Sequence, residues 1–311
     1  MPQSTSTVIA KTKVWPFGNL REDKERRMAW YFLAPTMIIL IGITIWPLIY
    51  ALFISFTNYS LALTFMGHQF VGLQNYASLF TSSSFWNAAR NTLLFAVIGI
   101  GVEFLLGLGL AVVATQNLRF MTPFRVILIL PVIVTPVIMG LTWRLMFNEV
   151  SGVLNYILHG MGLPAMNWLS SPQIALYSLI MVDIWQWTPF MFLLLVTGIT
   201  AIPQEIDRAL LVDGIPPFMK FWRVTLPLLK PVILIAVLIR LMDVLKYFDT
   251  IFIMTGGGPG NVTETLSFYS YKQGFVRFES GYAAAVAIII LFTIVLCSTR
   301  LVSSMRESKT E

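Results

Sequence analysis

Six long apolar blocks, separated by short polar stretches, dominate this 311-residue sequence. Read by hydropathy they fall at about 29–56, 91–115, 125–147, 173–201, 226–254 and 281–303. About 20 apolar residues coiled as a helix cross the ~30 Å hydrocarbon core of a bilayer, and every block reaches that length. In lipid the backbone must satisfy its own hydrogen bonds, which makes helices the solution for blocks of this size. Hydrophobic residues make up 57% of the chain and charged ones 12%, which excludes a soluble domain with a polar shell. The expected fold is an all-α integral membrane protein with six transmembrane helices.

Lys and Arg set the orientation, because basic residues concentrate on the cytoplasmic side of short loops. The tail before the first block carries Lys11, Lys13, Arg21, Lys24, Arg26 and Arg27. On the same side fall Arg119 and Arg125, then Arg208, Lys220, Arg223 and Lys230, then Arg300, Arg306 and Lys309. The opposite loops hold Arg90, Lys272 and Arg277. Both termini and the 202–230 loop are therefore expected in the cytoplasm. The resulting division is a tail over 1–28, a membrane domain over 29–303 and a tail over 304–311. The first block is too long for the core of a cleaved signal and reads as an uncleaved span. The net charge of +6 follows this topology rather than forming a basic cluster for nucleic acid. Cys297 is the single cysteine, so no internal disulfide is available. The two histidines, His68 and His159, stand apart in outer loops and form no metal constellation.

The stretch Ile202 to Pro231 is too polar for lipid and lies between two spans. Pro203 suits the first turn of a helix, where its missing N–H costs nothing. Glu205 and Asp207 then lie near the positive end of the helix dipole. Ile206, Ala209 and Leu210 form a narrow apolar stripe. Asp213-Gly214 closes the helix, since Gly takes the left-handed conformation of a C-terminal stop. Pro216-Pro217 begins a second short helix, and Leu226-Pro227 opens the next span. A helix-Gly-helix elbow between membrane helices is a handle for a cytoplasmic partner.

This stretch resembles the EAA loop of binding-protein-dependent ABC importer permeases, written EAA-x3-G-x9-I-x-L-P. The equivalent residues here are Arg208-Ala209-Leu210, Gly214 and Val224-Thr225-Leu226-Pro227, with the spacing kept. Arg208 stands in place of an acid and Leu210 in place of an alanine. Further phrases resemble the maltose and glycerol-phosphate class of carbohydrate permeases. They are Phe32-Leu33-Ala34-Pro35, Val71-Gly72-Leu73-Gln74-Asn75-Tyr76, Trp168-Leu169-Ser170-Ser171-Pro172 and Thr255-Gly256-Gly257-Gly258-Pro259-Gly260. The resemblance runs from about residue 29 to about residue 303. It implies a type I (MetI-like) importer fold in a bacterial inner membrane. It also implies a second related permease, an ATP-binding-cassette ATPase dimer and an extracytoplasmic solute-binding protein as partners. Glu205, Arg208, Ala209, Leu210, Asp213, Gly214, Leu226 and Pro227 would then couple to the ATPase. No cofactor is expected on this chain, and ATP belongs to the partner. The triple glycine lacks the Gly-Lys-Ser/Thr ending of a phosphate loop and lies on the outer side.

Ionisable residues at membrane depth are costly and mark candidate sites. The fifth span carries Arg240, Asp243, Lys246 and Asp249, spaced by three with alternating sign, so that neighbours can pair at i, i+3. Asp243 lies ~26 Å along the helix from Leu226. These charges are either an internally neutralised ladder or the lining of a wetted cavity. The fourth span offers Asp183-Ile184-Trp185-Gln186-Trp187-Thr188-Pro189-Phe190, whose aromatics suit the C–H face of a sugar and whose Gln186 and Asp183 can bond hydroxyls. An interfacial aromatic belt explains the same residues. In maltose-type permeases these two spans line the solute path, which makes Asp183, Gln186, Trp187, Phe190, Arg240, Asp243 and Tyr247 the candidates. Glu103 in the second span is expected to bond across helices, with no further role. A different class, an ion-coupled secondary transporter of a small polar solute, would need its coupling site among the same span-five charges. It has no use for the elbow and predicts corresponding broken segments in two halves, which the sequence does not display.

Overall fold

The computed structural model describes residues 18–67, 69–115 and 121–307. Lys11, Lys13, Arg119, Lys309 and His68 therefore lie outside the described residues. The chain divides into two compact units, residues 1–53 and 54–311. In the first, α1 (Gly18–Leu40) passes through a π turn at Ile41–Ile45 into α2 (Trp46–Ile54). The 28 residues from Arg27 to Ile54 are apolar and long enough to cross a membrane. The helix starts well inside the segment expected as a tail.

The second unit opens with a short 3-10 helix (Leu61–Met66), followed by α3 (Gln74–Thr81) and the 32-residue α4 (Ser83–Ala114). The hydropathy reading starts this span at 91, too late. Ser82 caps the helix by accepting from the Phe85 N–H, which adds two outer turns of mixed polarity. The third span is not one rod. It divides into α5 (Met121–Ile133) and α6 (Pro136–Met146), bent by 101°. Thr135 precedes Pro136 and is held extended (ψ 143°), as the residue before proline prefers.

After α7 (Val153–Gly160), α8 (Ala175–Thr200) runs unbroken through Pro189. Next come α9 (Gln204–Val212), α10 (Pro217–Lys220) and α11 (Leu226–Leu245). α10 and α11 are not separate helices. A π turn at Phe221–Thr225 joins them, giving continuous helix from Pro217 to Leu245. At 20 residues α11 spans about 30 Å. It is set apart from the other spans by three charged residues, Lys230, Arg240 and Asp243, in an otherwise apolar helix. The expected span over 226–254 is interrupted at Lys246–Phe248 and resumes as α12 (Asp249–Met254). α13 (Leu266–Tyr271) and α14 (Ser280–Glu307) complete the fold, the last helix extending past the expected stop at 303. Among the described residues, four helices and the bent α5–α6 pair are long and apolar enough to span, and α11, with its three charges, is the sixth.

The centre of this unit is the α4–α8 pair. Gly107 makes it close: a Cβ there would lie 2.7 Å from the Met191 Cβ and 3.0 Å from the Phe192 backbone nitrogen. Small residues at such a crossing let backbones approach where lipid supplies no hydrophobic drive. Around the pair pack Phe95, Met139, Leu179, Met191, Ala236 and Val244, all buried. The outer loop between α12 and α13 hangs on α4. Asn91 Nδ2 donates to the Glu264 carbonyl at 3.0 Å, and the Leu266 N–H donates to Thr92 Oγ1 at 2.9 Å.

Candidate functional site

Two places carry chemistry, the elbow between α8 and α11 and a polar cavity between α8 and the end of α11.

In the elbow, Pro203 occupies the N-cap position of α9 (ψ 135°), one step before the first turn where the sequence placed it. Asp213 is the C-cap and Gly214 is left-handed, with φ +67°. The Gly214 N–H donates to the Leu211 carbonyl at 3.2 Å, and the Ile215 N–H to the Leu210 carbonyl at 3.1 Å. That reciprocal pair is a Schellman stop, which satisfies the last carbonyls of α9 and reverses the chain. Ile206 and Leu210 are half-buried, as the stripe requires, but Ala209 is exposed. Glu205, Arg208, Asp213 and Pro227 are exposed and Leu226 is half-buried. The sequence did not single out Leu211, Val212, Phe218 and Trp222, which are 78%, 87%, 75% and 54% exposed. The elbow therefore presents exposed apolar side chains on both sides of Gly214, and Arg208 is exposed as well.

In the membrane, Arg240 is buried and tied to two carboxylates from two other helices. Its Nε donates to Glu103 Oε2 at 2.7 Å and its Nη2 to Glu103 Oε1 at 2.8 Å. Nη2 also donates to Asp183 Oδ2 at 2.7 Å. All three side chains are 0% exposed. The expected i, i+3 pairing of Arg240 with Asp243 is thus wrong: the tertiary partners win because they are desolvated and geometrically bidentate. The next i, i+3 pairing of the ladder does form, Asp243 with Lys246 at 3.7 Å on a partly exposed face. The break at Lys246–Phe248 turns Asp249 off the ladder altogether. Glu103, left without a role in the sequence, is a member of the triad. The signal available for it was charge balance, since one deep Arg and two deep acids in three spans call for one another.

Arg240 also lies over the Trp187 ring, its Cζ 4.5 Å from the centroid, so one face of that indole is taken by the guanidinium. Phe190 meets Trp187 edge-on at 5.9 Å and does not line the cavity. Gln186 is nearly buried, and its Nε2 donates to the Val134 carbonyl at 3.0 Å, an acceptor freed by the α5–α6 break. Asp183 lies behind the cavity wall rather than in it. Gln186, Trp187, Arg240, Asp243 and Tyr247 line a cavity of about 180 Å³ together with Lys246, Phe248, Asp249, Thr250 and Pro136. Five of the seven proposed path residues thus meet in one place.

Residues 103–305 match the family described as "Binding-protein-dependent transport system inner membrane component". The "Probable ABC transporter permease protein y4oQ" of Sinorhizobium fredii is 36% identical over 92% of this chain and 94% of its own length. The trehalose/maltose transport system permease of Thermococcus litoralis is 34% identical over 89% and 92%. A crystal structure of a bacterial ABC transporter involved in alginate import contains a chain of the same fold. Its TM-score is 0.81 at 22% identity, covering 93% of this chain and 99% of that one. A family match across spans two to six, with an elbow closed by Gly214, leaves no place for a self-contained ion-coupled carrier. This chain belongs to the inner-membrane permease components of binding-protein-dependent ABC importers, with the MetI-like permease fold.

Proposed function

We propose that this permease imports a sugar, polyol or related carbohydrate and forms one half of a translocation path. The observation that carries this reading is the cavity at the end of α11, where an aromatic wall and hydrogen-bonding groups converge at membrane depth. The carbohydrate class is supported by the Thermococcus litoralis relative, whose name gives trehalose and maltose. At about 180 Å³ the cavity is smaller than the ~300 Å³ at which ligand pockets begin, which fits a site completed by a second related permease.

Glu205, Arg208, Ala209, Leu210, Asp213, Gly214, Leu226 and Pro227 shape the elbow, and we assign it the docking of an ATP-binding-cassette ATPase. Its exposed Leu211, Val212 and Phe218 are suited to a partner's groove, with Arg208 at the rim. The chain itself catalyses no reaction. Both termini and the 202–230 loop face the cytoplasm in this reading, and the opposite side receives the solute-binding protein. The test is reconstitution of the complex in proteoliposomes, with ATPase stimulation by the loaded binding protein measured across a solute panel. Stimulation by a carbohydrate-loaded protein is expected. Stimulation by amino acids or inorganic ions alone refutes the substrate class.

A further inference from the structure

The charges around the cavity have a consequence for which carbohydrates can pass. Asp243 and Asp249 line it, Glu103 and Asp183 lie directly behind it on Arg240, and the cations are Arg240 and Lys246. Four carboxylates face two cations. The balance does not become positive even with a proton on either buried acid. Lys246 is paired with Asp243. Arg240, the one deep cation, has its Nε and Nη2 occupied by Glu103 and Asp183.

What a solute meets is suited to hydroxyls. Arg240 Nη1, the Tyr247 hydroxyl and Thr250 Oγ1 are sealed from solvent behind the wall, and the groups open to the cavity are Asp243, Asp249 and Lys246. A sugar hydroxyl both donates and accepts, so it can donate a hydrogen bond to Asp243 or Asp249 and accept one from Lys246. A carboxylate, phosphate or sulfonate only accepts, and meets a surplus of groups that only accept. We propose that this site selects uncharged polyhydroxylated solutes and rejects acidic sugars, with Glu103 and Asp183 cancelling the deep cation that would otherwise attract an anion. The inference rests on the carbohydrate-import reading above and narrows it.

The test uses the complete importer, with its partner permease, ATPase and binding protein, in proteoliposomes. Uptake is followed for trehalose, maltose and glycerol against glucuronosyl-glucose, galacturonate and glycerol 3-phosphate. Each rate is divided by the fraction of binding protein that the same solute loads, so that selection by the permease is isolated. Uncharged solutes are expected to pass at least about tenfold faster than acidic ones. Asp183→Asn releases part of Arg240 and should raise the acidic-to-uncharged ratio by about threefold or more. Asp249→Asn, at an exposed position, should move the ratio in the same direction and serves if the buried variant fails to assemble. Equal or faster uptake of acidic solutes by the native importer overturns the selection while leaving carbohydrate import standing. An unchanged ratio in a well-assembled variant overturns it too. If no solute of the panel is imported with ATP, the carbohydrate reading itself falls and takes this inference with it.

Discussion

Arg240 grips Glu103 with two parallel hydrogen bonds, 2.7 and 2.8 Å long, although 137 positions separate them in the chain. The two residues sit on α11 and α4, and Asp183 adds α8, so one guanidinium fastens the three helices around the cavity. Fork-to-fork geometry of this kind is what makes a buried ion pair tolerable, because most of the lost hydration is replaced by charged hydrogen bonds.

Removing one partner should therefore cost more than removing the set. Glu103→Ala is expected to destabilise the permease by about 3–5 kcal/mol, since it strands a buried guanidinium. The triple substitution Glu103→Leu, Asp183→Leu, Arg240→Met should recover most of that loss. Thermal unfolding in detergent gives the comparison; a triple variant less stable than Glu103→Ala would refute the account.

Gln186 ties the break in the third span to α8. Gln186→Leu keeps the volume but leaves the Val134 carbonyl without its donor, an expected loss of about 1–3 kcal/mol. Chemical denaturation of the purified chain measures it. A neutral result would mean that lipid-side relaxation or water satisfies that carbonyl.

At Gly214 the space around a new Cβ is open, so substitution tests backbone conformation alone. Gly214→Val should strain the elbow by about 1–2 kcal/mol and redirect α9. Membrane insertion is expected to survive while coupling of ATP hydrolysis to uptake falls. Native coupling in this variant would remove the elbow from the proposed contact with the ATPase.

Arg208 is exposed where the family pattern has an acid. Arg208→Glu restores the pattern and reverses the charge. Loss of assembly, read by co-purification with the ATPase, is expected if the partner surface has adapted to arginine. Unchanged co-purification and coupling identify a solvated position with no role.

Trp187→Ala removes both the guanidinium's aromatic partner and one wall of the cavity. Solute uptake should drop by about tenfold with a smaller effect on thermal stability. Asp243→Asn keeps the shape and weakens the Lys246 pair, which is worth at most about 1 kcal/mol at its exposed position. Its effect is expected on uptake rather than assembly. Native uptake with unchanged solute preference in both variants would move the path elsewhere.

What could be read from the chain was local. Asp213-Gly214 announced a helix stop and Pro216-Pro217 a restart, because turn chemistry is written in adjacent residues. Block length announced the spans. Interruptions at Thr135 and Lys246 were harder, since they depend on what accepts the freed backbone groups, and Gln186 is 52 positions from the carbonyl it serves. The partners of Arg240 are hidden from the sequence for the same reason. An i, i+3 neighbour is visible in one line of sequence, whereas the competing carboxylates reside on other helices and prevail through burial. The exposed apolar residues of the elbow are not legible in the chain, because a short stripe predicts which face turns inward and says little about its rim.

The continuous helix from Pro217 to Leu245 has a mechanical meaning. No loop separates the start of α10 from Arg240, and the irregularities between them are the π turn at Phe221–Thr225 and the prolines Pro227 and Pro231 of α11. The distance along the axis is about 35 Å. If the helix tilts as one body about its middle, ten degrees or so displaces each end by about 3 Å, in opposite directions. Force applied at the elbow reaches the guanidinium only past the π turn and Pro231, the two places where such a helix bends, and the Glu103 and Asp183 bonds receive what these do not absorb.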